Sequence, residues 1–446
     1  MISFNRLGLV LAALLWGAAP LYAADVAGEI GVGAIYTDNI RLVATDTQTD
    51  TIGLVTTDFL VHEQTRHFDA EVAANLQYLT YEHDIYSKEL LGDLAGFGKF
   101  ALLPGRVDWV VQENFGQQQL SPGTPLTPLN LENINYLSTG PDLSMPLGSQ
   151  LHAQMSLRYS KVSYQLNNNI FELDDLNNDR GNATLALIHP LSANSNASIN
   201  ASAERVSYDD SIDNPDYTTR TGYLHYDAQG ARSKVTLDVG YDDALVIGER
   251  SHSVLVRADA SRALSGASTV EFSVGQDISD TGNLLRQMQA SNNVTLATGA
   301  LQRSEDPFTN RYARANWRFD RHRTGLEVAL TQFRETHTIE SELNRTRTEL
   351  DLNARRNLSE ALVLNAAAGY AHDSYFSSTT PSDSYRWATA DVAWRFGRHV
   401  QMHAQYSHID QRSDAVSNTY SENRFMLTLG LATEKSAGLA LSNPIR

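Results

Sequence analysis

From Val26 onward the chain alternates apolar and polar residues with a period of two, block after block, almost to its end. Phe68, Ala70, Val72, Ala74, Leu76 and Tyr78 fall on one side, and Asp69, Glu71, Asn75 and Gln77 on the other. Leu151, Ala153, Met155, Leu157 and Tyr159 oppose His152, Gln154, Ser156, Arg158 and Ser160 in the same way. Leu350, Leu352 and Ala354 oppose Glu349, Asp351, Asn353 and Arg355, and Phe425, Leu427, Leu429 and Leu431 form a last apolar face. Period two is the geometry of a strand with one apolar and one polar face. Each block runs to about ten residues, the length of a tilted strand that crosses a bilayer. After residue 24 no stretch approaches the roughly 18 consecutive apolar residues that a membrane helix needs. The pattern predicts an all-β fold, a transmembrane antiparallel up-and-down β-barrel of about 18–20 strands between Val26 and Ala432.

The connections carry the same message. Short turns at Leu103-Pro104-Gly105, Ala228-Gln229-Gly230 and Leu264-Ser265-Gly266 alternate with longer polar loops such as Thr37–Thr51, Gly116–Asn133, Asp242–Arg250 and Ser279–Pro307. Outer-membrane barrels show this asymmetry, with tight periplasmic turns and long external loops. Tyrosines at strand ends (Tyr36, Tyr78, Tyr81, Tyr159, Tyr164, Tyr208, Tyr241, Tyr370, Tyr375 and Tyr406) are placed for an interfacial girdle. Within Ser279–Pro307, the stretch Asn283–Ala300 can form a short helix folded into the lumen. Asn5-Arg6, the apolar run Leu7–Ala19 and Pro20-Leu21-Tyr22-Ala23-Ala24 read as a cleavable signal peptide. The expected organisation is a signal peptide at 1–24, a barrel at 25–432 and a C-terminal tail at 433–446.

Composition narrows the chemistry. Lys and Arg number 35 against 52 Asp and Glu, a formal charge of −17, which argues against nucleic acid as a partner because phosphate binding needs a basic excess. With no cysteine there are no disulfides, thiolate metal sites or cysteine nucleophiles. No HExxH, Gly-x-Ser-x-Gly, P-loop or GxGxxG spacing is present, so neither catalytic residues nor cofactors are expected. His372, Asp373 and Ser374, or His408 with Asp410, are the nearest approach to a catalytic cluster and read better as loop ends. Asp174-Asp175-Leu176-Asn177-Asn178-Asp179 has oxygen ligands at a calcium-like spacing but lacks the glycine and closing Glu of an EF-hand, so no metal site is assigned.

If the apolar faces meet lipid, the opposite faces line the lumen. That assignment names Arg158, Arg257, Arg314, Arg318, Arg345, Arg347, Arg355 and Arg395 as interior cations, and Glu327, Glu349, Asp351 and Asp391 among the interior anions. The arginines thicken in the C-terminal half. They either form a polar path for a hydrated solute or pair across strands. Read as water-facing, Arg347→Leu is expected to be tolerated for folding.

The mature start, Gly31-Val32-Gly33-Ala34-Ile35-Tyr36-Thr37-Asp38-Asn39-Ile40-Arg41-Leu42, resembles the opening strand of outer-membrane β-barrels of the porin type associated with exopolysaccharide biosynthesis and export. Tyr36, Asp38 and Asn39 carry the motif. By itself Tyr36-Thr37-Asp38-Asn39 is also an ordinary turn in which Asp38 and Asn39 cap the first loop. The resemblance implies a barrel of a Gram-negative outer membrane that serves as the exit for an exopolysaccharide or as an accessory to it. Its partners would be membrane lipid, the polymer or another polar solute, and the barrel-assembly and polysaccharide-synthesis machinery. A general diffusion porin and a surface structural or adhesive barrel are the other readings. The chain departs from the resemblance at its end, where Pro444-Ile445-Arg446 stands in place of a terminal aromatic residue.

Overall fold

The computed structural model describes residues 25–433 apart from 122, 167–175, 211–213, 291–300 and 305. Residues 1–24, expected as a signal peptide, residues 434–446 of the expected tail, and Asp174 and Asp175 of the acidic loop lie outside the described residues. Twenty antiparallel strands form one sheet. They are β1 (Asp25–Thr37), β2 (Asp50–Gln64), β3 (Phe68–Tyr81), β4 (Glu89–Leu103), β5 (Val107–Gln119), β6 (Leu131–Pro146) and β7 (His152–Leu166). Next come β8 (Asn178–Ser192), β9 (Ser195–Tyr208), β10 (Tyr217–Gln229), β11 (Ser233–Val246), β12 (Glu249–Ser265), β13 (Ser268–Ser279) and β14 (Phe308–Arg321). The last are β15 (Thr324–His337), β16 (Arg345–Asn357), β17 (Leu362–Tyr375), β18 (Asp383–Phe396), β19 (Val400–Ser413) and β20 (Tyr420–Ala432). Each strand pairs with its neighbours in sequence, and β1 pairs with β20 from Glu29↔Ala432 to Thr37↔Arg424, which closes the barrel.

The strands are longer than the ten residues that the alternation suggests; β3 has 14. At about 3.3 Å per residue and a tilt near 40°, such a strand rises roughly 35 Å. The apolar band of a membrane barrel is only about 25 Å tall, so the strands continue past it. Asp242–Arg250, expected as a long loop, is mostly strand. Only Ile247 and Gly248 turn the chain, both at positive φ (47° and 80°), the conformation of a tight hairpin.

The two faces separate as the alternation requires. Leu427, Leu429 and Leu431 are 54–62% exposed, while Met426, Thr428 and Ala432 on the alternate positions are buried. The tyrosine girdle is only partly as expected. Tyr36, Tyr159, Tyr241, Tyr370 and Tyr406 are exposed on the outer face towards the long loops. Tyr81, Tyr208 and Tyr375 are buried, and Tyr164 packs with interior apolar groups, because each sits one register position away and points inward. A second exposed aromatic set, Trp109, Trp317, Trp394 and Phe396, lies towards the short turns.

Adjacent residues on β16 test the assignment of faces. Leu352→Arg places a charge on the exposed apolar side and is expected to lower barrel yield, since a mid-bilayer Arg costs about 2–4 kcal/mol. Asn353→Arg on the inner side is expected to assemble normally, as read by heat-modifiable gel mobility. Thiol labelling of intact cells should reach single cysteines at Ser378 and Ser417 but not at Gly105 or Gly230.

Candidate functional site

All the sequence-predicted interior residues lie on the face opposite the exposed apolar groups, but most of the arginines are paired. Arg158 meets Asp142 at 2.6 Å, Arg257 meets Asp238 at 3.1 Å, and Arg318 meets Glu327 at 3.3 Å. Arg345 is fully buried, bonding Glu335 at 2.7 Å and Asp373 at 3.4 Å. Arg347 bonds Asp373 at 2.7 Å and Glu349 at 3.0 Å. Arg355 donates to Asn357, and Asp391 accepts from Asn365 and faces His403. Asp351 follows Glu349 on the inner side of β16. Arg314 Nε and Arg395 Nη2 are buried with no hydrogen-bond partner. These contacts revise the tolerance expected of Arg347→Leu: the change would remove the partner of Glu349 and one of the two partners of Asp373, which keeps Arg345, and is expected to lower stability. The inner face of β1–β5 is instead acidic, with Glu29, Asp58, Glu89 and Asp93, and within those strands Lys99, paired to Asp108 at 2.9 Å, is its one Lys or Arg.

The rim histidines do not assemble a catalytic cluster. His372 Nδ1 lies near Ser384 Oγ and the Asp383 carbonyl, whereas Asp373, on the opposite face of β17, belongs to the arginines. His408 bonds Asn423, and Asp410 pairs with Arg412. Tyr36-Thr37-Asp38-Asn39 has a different use. Asp38 accepts from the Asn423 backbone N–H (2.8 Å) and its side-chain amide (2.6 Å), and Asn39 donates to the Val43 and Ser421 carbonyls. The motif ties β1 to β20 at the top of the seam. Tyr36 itself points outward and is exposed.

The connection between β13 and β14 enters the barrel. Helix α1 (Thr281–Ala290) starts at Asp280, whose carboxylate caps the N–H groups of Gly282 and Asn283 at 3.0 and 3.1 Å. Arg180 on β8 bonds Asp280 at 2.7 Å and lies 3.5 Å from Glu204 on β9, which accepts from Asn283. Leu285 is fully buried among Ile134, Tyr136, Val162 and Leu301, on the inner side of β6 and β7. The returning leg pairs with β5 through Gln119 N–H to the Leu301 carbonyl and Arg303 N–H to the Gln119 carbonyl, both 3.0 Å. Gln302 reaches Tyr375 on β17, and Arg303 bonds Glu132 at 3.0 Å. One segment thus touches β5–β9 on one side and β17 on the other, so it spans the lumen. Above it, Ile40 and Leu42 of the first loop, Tyr86 and Leu126 pack among inward apolar residues of the strands. Asn418 donates to the Gly123 carbonyl, and Gly123, at φ +71°, lies against Pro381 where a Cβ would clash, so three long loops meet over the mouth.

Alternation revealed the inward arginines. It could not reveal Arg180, Asp280 or Glu204 as a latch, because Asp280 meets Arg180 across 100 positions and Asn283 meets Glu204 across 79, which leaves no local signal.

The closed barrel, its exposed apolar belt and its charged interior define a β-barrel of the outer-membrane type. Residues 305–433 match the family model described as "Putative beta-barrel porin 2". No curated protein matches the chain in sequence. Among solved structures, the siderophore receptor PirA from Pseudomonas aeruginosa is 10% identical, with 93% of this chain and 81% of that chain covered and a TM-score of 0.43. The FrpB iron transporter from Neisseria meningitidis (F5-1 variant) is 9% identical, with 92% and 82% covered and a TM-score of 0.48. OccK2 (OpdF) from Pseudomonas aeruginosa in complex with glucuronate is 9% identical, with 92% and 98% covered and a TM-score of 0.38.

The latch has a defined pH response. Burial alone would push the Asp280 carboxyl up, but the Arg180 guanidinium and the Asn283 N–H outweigh it and hold it below its usual 3.8. A depressed carboxylate stabilises the folded arrangement above the ordinary value and loses that contribution as pH falls through the lowered one. Thiol accessibility at Thr281→Cys should therefore stay constant from pH 8 to 5 and rise only below about pH 4. Arg180→Gln, which removes the cation between Asp280 and Glu204, should raise it already at pH 7.

Proposed function

We propose that this protein is an outer-membrane pore for a hydrated polar solute, exported through its signal segment, and that the solute is a nascent exopolysaccharide. The observation that carries the reading is the insert, which crosses a charged and amide-lined interior and is fastened largely by ion pairs and hydrogen bonds. Such contacts exchange with water or with sugar hydroxyls at small net cost, so a polar chain can displace them. Arg314, Arg395 and the paired arginines would offer donors to sugar oxygens. Tyr312, whose ring lies against Gly275 where a Cβ would clash, offers an aromatic face on the wall. Passage would be passive and driven by synthesis behind the pore. Lipid and the assembly and synthesis machinery would be its partners, with no nucleic acid, cofactor or catalytic step involved.

The apolar groups that pack the mouth favour a second reading, a structural barrel whose lumen stays shut. Replacing residues 281–303 by a short Gly-Ser linker distinguishes them. The pore reading expects a several-fold larger conductance in planar bilayers and altered polymer secretion at unchanged barrel abundance. A barrel that stays silent in both assays supports the shut reading. In the opened barrel, Arg314→Gln with Arg395→Gln should shift ion selectivity towards cations, because it removes positive charge from a lumen that otherwise carries many carboxylates.

A further inference from the structure

Ser304 and Asp306 end the inserted segment, His337 ends β15, and Glu340 lies in the connection from β15 to β16. These four residues, from three places in the chain, converge at the long-loop rim. His337 Nδ1 is 3.2 Å from Asp306 Oδ1 and 3.2 Å from Ser304 Oγ. Ser304 Oγ is 3.1 Å from Asp306 Oδ1 and 2.6 Å from Glu340 Oε2. Ligand atoms of Asp306, His337 and Glu340 all lie within 4.8 Å of one another. The His337 and Asp306 side chains are each 1% exposed.

Three features of this cluster point to a ligand. First, donors held about 2.0 Å from a tetrahedral ion stand about 3.3 Å apart, close to the three edges that join Ser304, Asp306 and His337. Second, two carboxylates, the buried Asp306 and the half-buried Glu340, meet one buried imidazole, and among the described residues no Lys or Arg pairs with Asp306; carboxylates gathered in this way favour a cation or a shared proton between them. Third, His337 Nδ1 faces only oxygens, those of Ser304 and Asp306, which places a ring nitrogen on the side of the cluster where an ion would sit. The donors are also held in place. The Ile339 backbone N–H donates to the other Asp306 oxygen, the His337 backbone N–H donates to Asn344 Oδ1 at 2.6 Å, and the Phe308 ring lies 4.9 Å from the imidazole. Outer contacts of this kind orient the ligands of a metal site.

We propose that Asp306, His337 and Glu340, with the Ser304 hydroxyl, form a binding site for a borderline divalent cation of the Zn2+ class. One nitrogen and three oxygens in a compact set suit such an ion, whereas Ca2+ and Mg2+ take six or more oxygen ligands. The ion would tie the returning leg of the lumen insert to the surface loop between β15 and β16.

The test uses full-length protein in detergent, stripped with EDTA and titrated with ZnCl2 by calorimetry. Expected is one Zn2+ per chain that excess Ca2+ or Mg2+ does not displace, and tetrahedral absorption bands when Co2+ is used instead. His337→Gln and Asp306→Asn should each weaken binding about 10- to 100-fold or more. Ser304→Ala, a milder change that deletes one hydroxyl, should weaken it less and keeps the test open if the other variants do not fold. Glu82→Gln, at the separate trio of buried Asp50 with exposed Glu82 and His83, should change nothing. Absence of Zn2+ uptake would mean that a proton holds the cluster together and would overturn the site. Displacement by Ca2+, or loss of uptake in Glu82→Gln with none in Ser304→Ala or His337→Gln, would overturn it too. The result does not depend on whether the barrel conducts.

Discussion

Everything in this molecule depends on the rule that a backbone N–H or C=O inside hydrocarbon must find a partner within the protein. A helix satisfies that rule alone; a strand satisfies it only if the sheet has no edge. The β1–β20 pairing therefore decides whether the other eighteen strands can reside in a membrane, and the chain reinforces it with side chains. Asp38 and Asn39 hold the end of β20, and Thr37 donates to Glu422 on the same strand. Gly33 lies so close to β20 that an ideal Cβ would stand 2.2 Å from the Leu427 carbonyl. Thr37, Asp38 and Asn39 are thus part of the fastening of the barrel.

With the outside committed to lipid, polar side chains can only point inward. Charges left in the interior must either face water or find one another, and here they mostly find one another. Arg345 and Arg347 share Asp373, and Arg180 sits between Asp280 and Glu204. Ion pairs of this type contribute modestly to stability because desolvation offsets their attraction. They do set geometry, and the geometry they set is that of the insert, with α1 against β6 and its returning leg between β5 and β17. Interior electrostatics and lumen obstruction are therefore one feature of the structure.

The alternation was sufficient for the architecture because a strand repeats every two residues and lipid tolerates no error of face. The closed sheet, the outward Leu352 and Leu427 and the inward Arg158, Arg347 and Arg395 could all be read from it. It misled where a residue stood one position from a strand end. Tyr81, Tyr208 and Tyr375 look like girdle residues in sequence, and only the register turns them inward. It also misled at Asp242–Arg250, whose polar composition resembles a loop although two positive-φ residues suffice to turn the chain. A helix between β13 and β14 was legible; it starts at Thr281, two residues before the expected Asn283, and residues 291–300 of the expected span lie outside the described residues.

What the sequence by itself determined is the class of object, a closed sheet with an apolar outside and a charged inside, because period-two alternation is a local property printed along every strand. What only the tertiary structure decided is how that inside is used. Arg180 with Asp280, Gln302 with Tyr375, and Ser304 and Asp306 with His337 and Glu340 are encounters between residues tens of positions apart. Each is brought about by closure of the barrel and by the path of one segment through it, and no periodicity along the chain records which distant side chains a closed cylinder will bring face to face.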